Sequence, residues 1–398
     1  MHGTIDSALR VEWRPLTELA SIASSWRRLA ERALEPNVFY EPAFALAAAP
    51  ALGCGVSAAL VWTRSDELVG LFPGRIEPRR YGMRLPVLVG WAHPFAPLGA
   101  PLVDRSLAEP VITAWLEHVA AHAELPKLIL LPLLPEGALA RTLETLTRAR
   151  GQVRVVAEVS RALLAPQERG GYLAAALGSK RRKELNRLRK RLAERGPVTS
   201  VSAHNAAEVA LGLDDFLHLE AGGWKGRAGT AACQDPAIAA FIKAAVLELA
   251  GQGKAEITRL CVDNEPIAAG IILRSGAYAW AWKIAYDERY AHFSPGVQLI
   301  CDVTQGLVAE PEVGRADSCA TANHPMIDHI WRERLTLADV LLCVGAKDSS
   351  MHSLSFEVAW RMEAWRRTAT HLAKRVVQRA RAFARGSASR SSTGHSPP

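Results

Sequence analysis

The run Tyr278 to Tyr286 (YAWAWKIAY) carries one charged side chain, Lys283, in a strand otherwise built of aromatic, aliphatic and alanine residues. Strand alternation puts Tyr278, Trp280, Trp282, Ile284 and Tyr286 on one face, and Ala277, Ala279, Ala281, Lys283 and Ala285 on the other. One face is bulky. The other is nearly bare, open to a helix backbone or an extended ligand, with Lys283 its polar group. Shortly after, Ser294-Pro295-Gly296 reads as a helix start: serine at the N-cap, proline at the first helical position, and glycine leaving the first-turn amides uncovered. Such a terminus holds anions, a pyrophosphate among them, although an ordinary cap has the same spelling. Trp224-Lys225-Gly226-Arg227 is a glycine-flanked basic and aromatic loop. It suits a sugar or phosphate-bearing acceptor through stacking and charge, or equally a surface turn whose tryptophan folds back on the core. Cys319, His324 and His329 have spacings that suggest a metal, but HPMIDH lacks the HExxH order and a fourth ligand, so no metal is expected. His324 reads as a cap or a substrate neighbour.

The elements that must position these groups form two α/β halves. Residues 1–165 open with a strand near Leu9 to Trp13 and a helix over Leu16 to Leu34, followed by strands Val56 to Thr63, Leu68 to Ile76 and Leu85 to Trp91. Helices near Leu107 to Ala121 and Gly137 to Arg148 alternate with strands Lys127 to Leu134 and Val153 to Val159. Residues 166–346 form the second unit. It begins with one long basic helix, Tyr172 to Arg195, stopped by Gly196-Pro197. Helices near Ala206 to Leu219 and Pro236 to Leu249 lead to an antiparallel meander, Glu256 to Val262, Ile267 to Leu273 and Ala277 to Tyr286, with tight turns at Asp263-Asn264-Glu265 and Ser275-Gly276. A helix over Pro295 to Leu307, a short strand at Asp317, a helix near Met326 to Trp331 and a strand Ala338 to Val344 complete it. Both halves share the order helices, meander, alternating elements, which makes an internal duplication an even proposition on sequence alone. Residues 347–386 read as a basic amphipathic helix and 387–398 as a disordered tail.

At 398 residues and 49% hydrophobic, the chain is longer than one core usually supports. The six cysteines form no CxxC pair, which fits reduced thiols in the cytoplasm, and the N-terminus shows no secretory pattern. The net charge is +8, with nine Lys or Arg between Lys180 and Arg195. A solvated face is the default for that helix. Its rivals are an acidic partner such as a polysaccharide precursor, tRNA, or anionic lipid. The C-terminal helix, with Arg366, Arg367, Lys374 and Arg375 beside Leu372 and Val376, suggests peripheral contact with the inner face of a membrane. No compact trihelical unit presents a recognition helix, so DNA is not expected as a partner.

Three segments together, WKIAYDERYAHFSPGVQ (Trp282 to Gln298), LEAGGWKGRAGT (Leu219 to Thr230) and SKRRKELNRLRKRLAERG (Ser179 to Gly196), resemble the GNAT-type acetyltransferases called CelD/BcsL-like. The resemblance covers Ala165 to Gly345 well, and the first half more loosely through NVFYEPAF (Asn37 to Phe44) and APLGAPLVD (Ala96 to Asp104). It implies tandem GNAT-like domains with mixed, largely antiparallel sheets and flanking helices, related in shape to the Fem aminoacyltransferases. It also implies acetyl-CoA or a longer acyl-CoA at the meander-to-helix junction, placing Ile284, Ala285, Tyr286, Ser294, Gly296 and Val297 against the cofactor. The usual phosphate loop, Q/R-x-x-G-x-G/A, is absent, and Arg289 to Gly296 stands in its place. The resemblance points to Asp317 as the catalytic base, with Glu220 second and pairing of Asp317 with Arg315 or Arg334 as the alternative. Trp224, Lys225, Lys283 and His324 fall to the acceptor.

Acyl transfer to an amine needs a positioned thioester, a base for the ammonium and a backbone N–H on the carbonyl. The expected activity is therefore acyl-CoA-dependent N-acylation of a small-molecule or saccharide amine, an envelope or exopolysaccharide precursor, on the cytoplasmic side. Two alternatives stay open: a Fem-like transferase taking its acyl group from aminoacyl-tRNA, and a catalytically idle GNAT pair acting as an interaction module in polysaccharide synthesis.

Overall fold

The computed structural model describes residues 9–166, 169–345 and 352–369. In the first half, β1 (Arg10–Pro15) precedes α1 (Ala23–Arg32) and α2 (Pro42–Leu52), then β2 (Ser57–Trp62), β3 (Leu68–Glu77), β4 (Val87–Gly90) and the short β5 (Leu102–Val103). α3 (Ala108–Ala121), β6 (Leu128–Pro135), α4 (Ala138–Arg150) and β7 (Gly151–Leu164) close that half. The second half runs α5 (Tyr172–Ala176), α6 (Ser179–Ala193), β8 (Val198–Ala203), α7 (Ala206–Gly222), α8 (Trp224–Arg227), α9 (Pro236–Gly251), β9 (Ala255–Val262), β10 (Glu265–Ser275) and β11 (Tyr278–Tyr286). It ends with α10 (Pro295–Ala309), β12 (Arg315–Asp317), β13 (Glu333–Val344) and α11, residues 352–369.

Local chemistry sets these boundaries. Asn205 caps α7 by accepting the Glu208 N–H, and Asp235 caps α9 by accepting from Ala237 and Ile238, with Pro236 at the first position. The β9–β10 turn places Asp263 and Asn264 at φ 51° and 67°, the left-handed pair of a two-residue hairpin. Three expected helices differ. The one expected over Leu16 to Leu34 is a 3-10 helix over Leu16–Ile22 and α-helical only as α1. The long basic helix is two, because Leu177 and Gly178 are extended between α5 and α6. The helix expected at Met326 to Trp331 is a series of turns: Asn323 is left-handed (φ 57°), and Ile330 and Trp331 both donate to the Ile327 carbonyl instead of propagating.

All the described strands join one sheet, ordered β1-β2-β3-β4-β6-β13-β7-β12-β11-β10-β9-β8, with β5 paired to β3. The order reads the same from either edge. In each half four antiparallel strands meet a fifth in parallel, β6 beside β4 and β12 beside β11. The two long central strands are exchanged. β13, from the end of the chain, inserts between β6 and β7, while β7, from the first half, inserts between β13 and β12, all antiparallel. The topology is that of an internal duplication whose copies complete each other. Pairs between the halves reinforce it, with Lys254 Nζ 2.6 Å from Glu41 and Arg315 3.1 Å from Glu35. α2, α3, α7 and α9 cover the large core on one face; α6 and α10 cover a second core on the other. α11 buries Phe356 and Ala359 over Val87, Leu130 and Leu341.

Candidate active site

β11 is the strand on which the site depends. It pairs with β10 along its length but with β12 over Tyr278 to Trp280 alone. Beyond Trp280 the two strands part, so the β12-side edge of β11 is left without a strand neighbour. Within this stretch the register slips: Ile271 lies opposite Lys283 and Ile272 opposite Ala281, so Trp282 is the extra residue of a β-bulge. The bulge corrects the simple alternation. Ala279 and Ala281 pack in the α10 core, but past the bulge they are joined there by Ile284 and Tyr286, while Ala285 joins Trp280 and Trp282 in the α7 core. Neither face is bare along its whole length. Lys283 is turned among the aromatic residues, its Nζ 4.5 Å from the Phe95 ring centre and 5.4 Å from that of Trp282.

Burial pushes the Lys283 ammonium down to about 8, with the Lys225 charge adding to the shift and Glu220 and Cys319 opposing it. Glu220 ends α7, almost wholly buried. Its Oε1 accepts from Lys225 Nζ at 2.7 Å and its Oε2 from the Ala232 N–H at 2.9 Å. Burial alone would raise the Glu220 pKa, but those hydrogen bonds and the Lys225 charge hold it below the usual carboxylate range. The Trp224–Arg227 turn can close only with glycine at 226, where a Cβ would lie 1.7 Å from the Ala221 carbonyl oxygen. Leu219, Glu220, Trp224 and Lys225 face Ile284, Ala285 and Tyr286 across a groove. Of the residues expected to act together, Glu220, Trp224, Lys225, Ile284, Ala285 and Tyr286 converge here, and Lys283 lies beside the groove, coupled to Lys225 and Glu220 by charge. Trp224 does not fold back on the core; it is exposed, its N–H bonded to Glu288 Oε1 at 2.7 Å.

Asp317 sits apart from that groove in its hydrogen bonding. It is buried against Arg161, whose guanidinium donates to Oδ2, and its Oδ1 accepts the Cys319 N–H at 3.0 Å. The alternative partners suggested by sequence are engaged elsewhere, Arg315 with Glu35 and Arg334 with Asp328. Both oxygens of that carboxylate are thus already engaged. It fixes the end of β12, where Cys319 adopts φ 51° and its buried thiol is pushed well above its usual value by desolvation. His324 is a turn cap, its Nδ1 3.4 Å from the Met326 N–H and its carbonyl accepting from Asp328.

The start of α10 also differs from expectation. Ser294 is left-handed (φ 54°, ψ 51°) and its side chain makes no capping bond. Its carbonyl accepts the N–H groups of Val297 and Gln298, both at 3.1 Å. Pro295 has no N–H, so Gly296 supplies the first-turn amide. That glycine is covered: a Cβ there would meet Met326 Sδ at 2.8 Å and Tyr286 Cδ1 at 3.3 Å. Met326 thus packs against Gly296 beside the expected anion position.

Sequence reasoning missed the contribution of the first half. The loop after β4 lays Phe95 over Lys283, and the Phe95 carbonyl accepts from Trp282 Nε1 at 2.8 Å. Phe44, Phe241 and Trp282 pack edge to face beneath it, with ring centres 5.2 and 5.4 Å from Phe44. His93 lies in the same cluster, and burial pushes its pKa down to about 4, so it is neutral at physiological pH. His93-Pro94-Phe95 directly after an apolar strand was the signal available.

Residues 179–323 match the family described as Acetyltransferase (GNAT) domain. The match lies within the second half of the chain. The matched stretch holds α6 through β12, including the bulged strand and the helix after it. Among curated proteins none matches the sequence. Among solved structures the fold recurs across both halves. FemX superposes with a TM-score of 0.54 at 12% identity, over 81% of this chain and 96% of FemX. The C-terminal domain of a protein assigned as a lysylphosphatidylglycerol synthetase from Agrobacterium fabrum gives 0.51 at 11% identity, over 85% and 95%. These likenesses are of fold. Among the described residues no group of His, Cys, Asp or Glu could hold a metal ion, and no single helix is long and apolar enough to cross a membrane.

Proposed function

We propose that the chain is an acyl-CoA-dependent N-acyltransferase of CelD/BcsL-like type, acylating an amine on a cell-envelope or exopolysaccharide precursor at the cytoplasmic side. The observation that carries this reading is Lys283, an amine tuned to about 8 at the bulge of β11 and coupled to the Glu220–Lys225 pair. A base works best with a pKa near the operating pH. Neutral Lys283 takes a proton from the acceptor ammonium, and the freed nitrogen pair attacks the acyl carbonyl; the tetrahedral adduct then breaks its C–S bond, and the departing thiolate takes the second proton from nitrogen to leave as the coenzyme A thiol. The ionised Glu220 favours the protonated Lys283 that results, and Asp317 holds β12 rather than moving a proton. The open edge of β11 offers backbone groups to the amides of a pantetheine arm, a strand-like mode of binding. Trp224 and Lys225 flank the acceptor groove, and Gly296 offers its amide to the pyrophosphate beside Met326.

Calorimetric titration with acetyl-CoA and a long-chain acyl-CoA tests this. Saturable binding of either thioester, followed by acyl transfer to an amino sugar, supports the reading. A second reading rests on the covered start of α10 and the exposed cations of α6: a donor that needs no pyrophosphate site, aminoacyl-tRNA. Failure of both thioesters together with salt-sensitive tRNA binding would select it.

A further inference from the structure

On the sheet face opposite Lys283, α6 packs against β8 and the turn of residues 288–293. Leu188 and Leu192 are buried and Arg189 pairs with Asp302 at 3.0 Å, while Lys180, Arg181, Arg182 and Lys183 are exposed. The N-terminal half stands away and leaves a cleft of about 420 Å³ between α5, α6 and α10. That volume lies in the range of small-molecule sites. Its lining is divided by chemistry. Leu173, Leu177 and Leu185 form an apolar wall, Asn186, Gln305 and the Arg189–Asp302 ion pair a polar one, and Arg182 stands among the lining residues. Gln298, on the same lining, spends Nε2 on the Phe293 carbonyl and leaves a buried Oε1 with no partner among the described residues. Packing α6 flat on α10 would bury Leu185 and close the gap, yet the break at Leu177-Gly178 holds it open.

We infer that this cleft binds a phosphate-bearing amphiphile, its apolar chain along Leu173, Leu177 and Leu185 and its phosphate at Arg182. The site is separate from the acceptor groove and does not depend on the acyl-CoA reading. The phosphate can belong to a membrane lipid or to a soluble compound; the chemistry recognised is the same.

The test titrates the full chain calorimetrically with octyl phosphate below its micellar range, with octyl glucoside and inorganic phosphate as the separated halves of the ligand. Expected is one saturable site for octyl phosphate, with each half binding at least tenfold more weakly. Leu185→Trp, which fills the cleft, and Arg182→Glu each weaken octyl phosphate at least tenfold, while Lys183→Glu, the same charge change outside the lining, does not. Arg182 is exposed, so its variant stays folded even if Leu185→Trp does not. Absence of saturable binding overturns the proposal, as does equal binding of octyl glucoside or equal loss in Lys183→Glu. Vesicles with 30% phosphatidic acid that capture the chain and release it to octyl phosphate support the site with a lipid source. Octyl phosphate binding without vesicle capture supports it with a soluble one.

Discussion

Lys283 is charged below and neutral above about pH 8, and the proposed chemistry uses the neutral form. Acyl transfer is therefore expected to rise with pH through that value and then level. Lys283→Met lowers kcat/KM by about 10²-fold or more, the usual worth of a positioned base, and Lys283→Arg, permanently charged, does not restore it. The sign at Glu220 follows from its charge. Its carboxylate favours the ammonium form of Lys283, so Glu220→Gln moves the rising limb to lower pH rather than abolishing it. An initial-rate pH profile of the three variants checks all of this; a limb unmoved by Glu220→Gln would count against the coupling. The lysine was visible in the sequence because charge is rare in such a strand. Its company was not. Phe95 and Arg161 come from the other half of the chain, and no local pattern brings residues so distant to one place.

Among the elements, α10 and α11 make separate predictions. Met326 packs against Gly296 in the first turn of α10, so Met326→Ala is expected to tighten acyl-CoA binding several-fold in a calorimetric titration, and unchanged affinity would count against use of that helix start. α11 is tied down by Glu363, a fully buried carboxylate receiving hydrogen bonds from Arg80, Tyr81, Arg366 and Arg367. Burial would raise its pKa, but the Arg366 and Tyr81 hydrogen bonds and the Arg80 charge prevail and bring it down to about 2. Because the folded value is depressed, its contribution is complete above the ordinary value of 4.5 and is lost as pH falls toward 2, about 3 kcal/mol in all. Glu363→Ala removes the carboxylate that Arg80, Tyr81, Arg366 and Arg367 share, while Arg80 keeps Glu77 and Arg367 keeps Asp339, at a cost of about 1–3 kcal/mol, and is expected to make residues 352–369 the first cut in limited proteolysis at neutral pH. The sequence reading placed the meander, its turns and most helices, because hydrophobic period and turn residues are local signals. It misread the faces of β11, since a bulge inverts alternation without altering composition, and it misread Ser294, whose residue type permits both a cap and a left-handed turn. The part of the C-terminal helix carrying Leu372, Lys374, Arg375 and Val376, and the tail from 387, lie outside the described residues.

At the scale of the molecule, the two halves are one sheet because β7 and β13 are exchanged. A fragment ending at residue 165 contains β6 and β7 but lacks β13, the strand that separates them. It is expected to show no cooperative thermal transition by circular dichroism, whereas the full chain shows a single one; two independent transitions in the full chain would contradict the shared sheet. The exchange also fixes a timetable. Roughly 200 residues separate the end of β6 at Pro135 from the start of β13 at Glu333. At the pace of synthesis the ribosome needs about 10–40 s to cover that span. Throughout the interval the nascent first half presents an apolar, half-made edge at β6, so cells that make this protein must shield that edge until the final strand emerges.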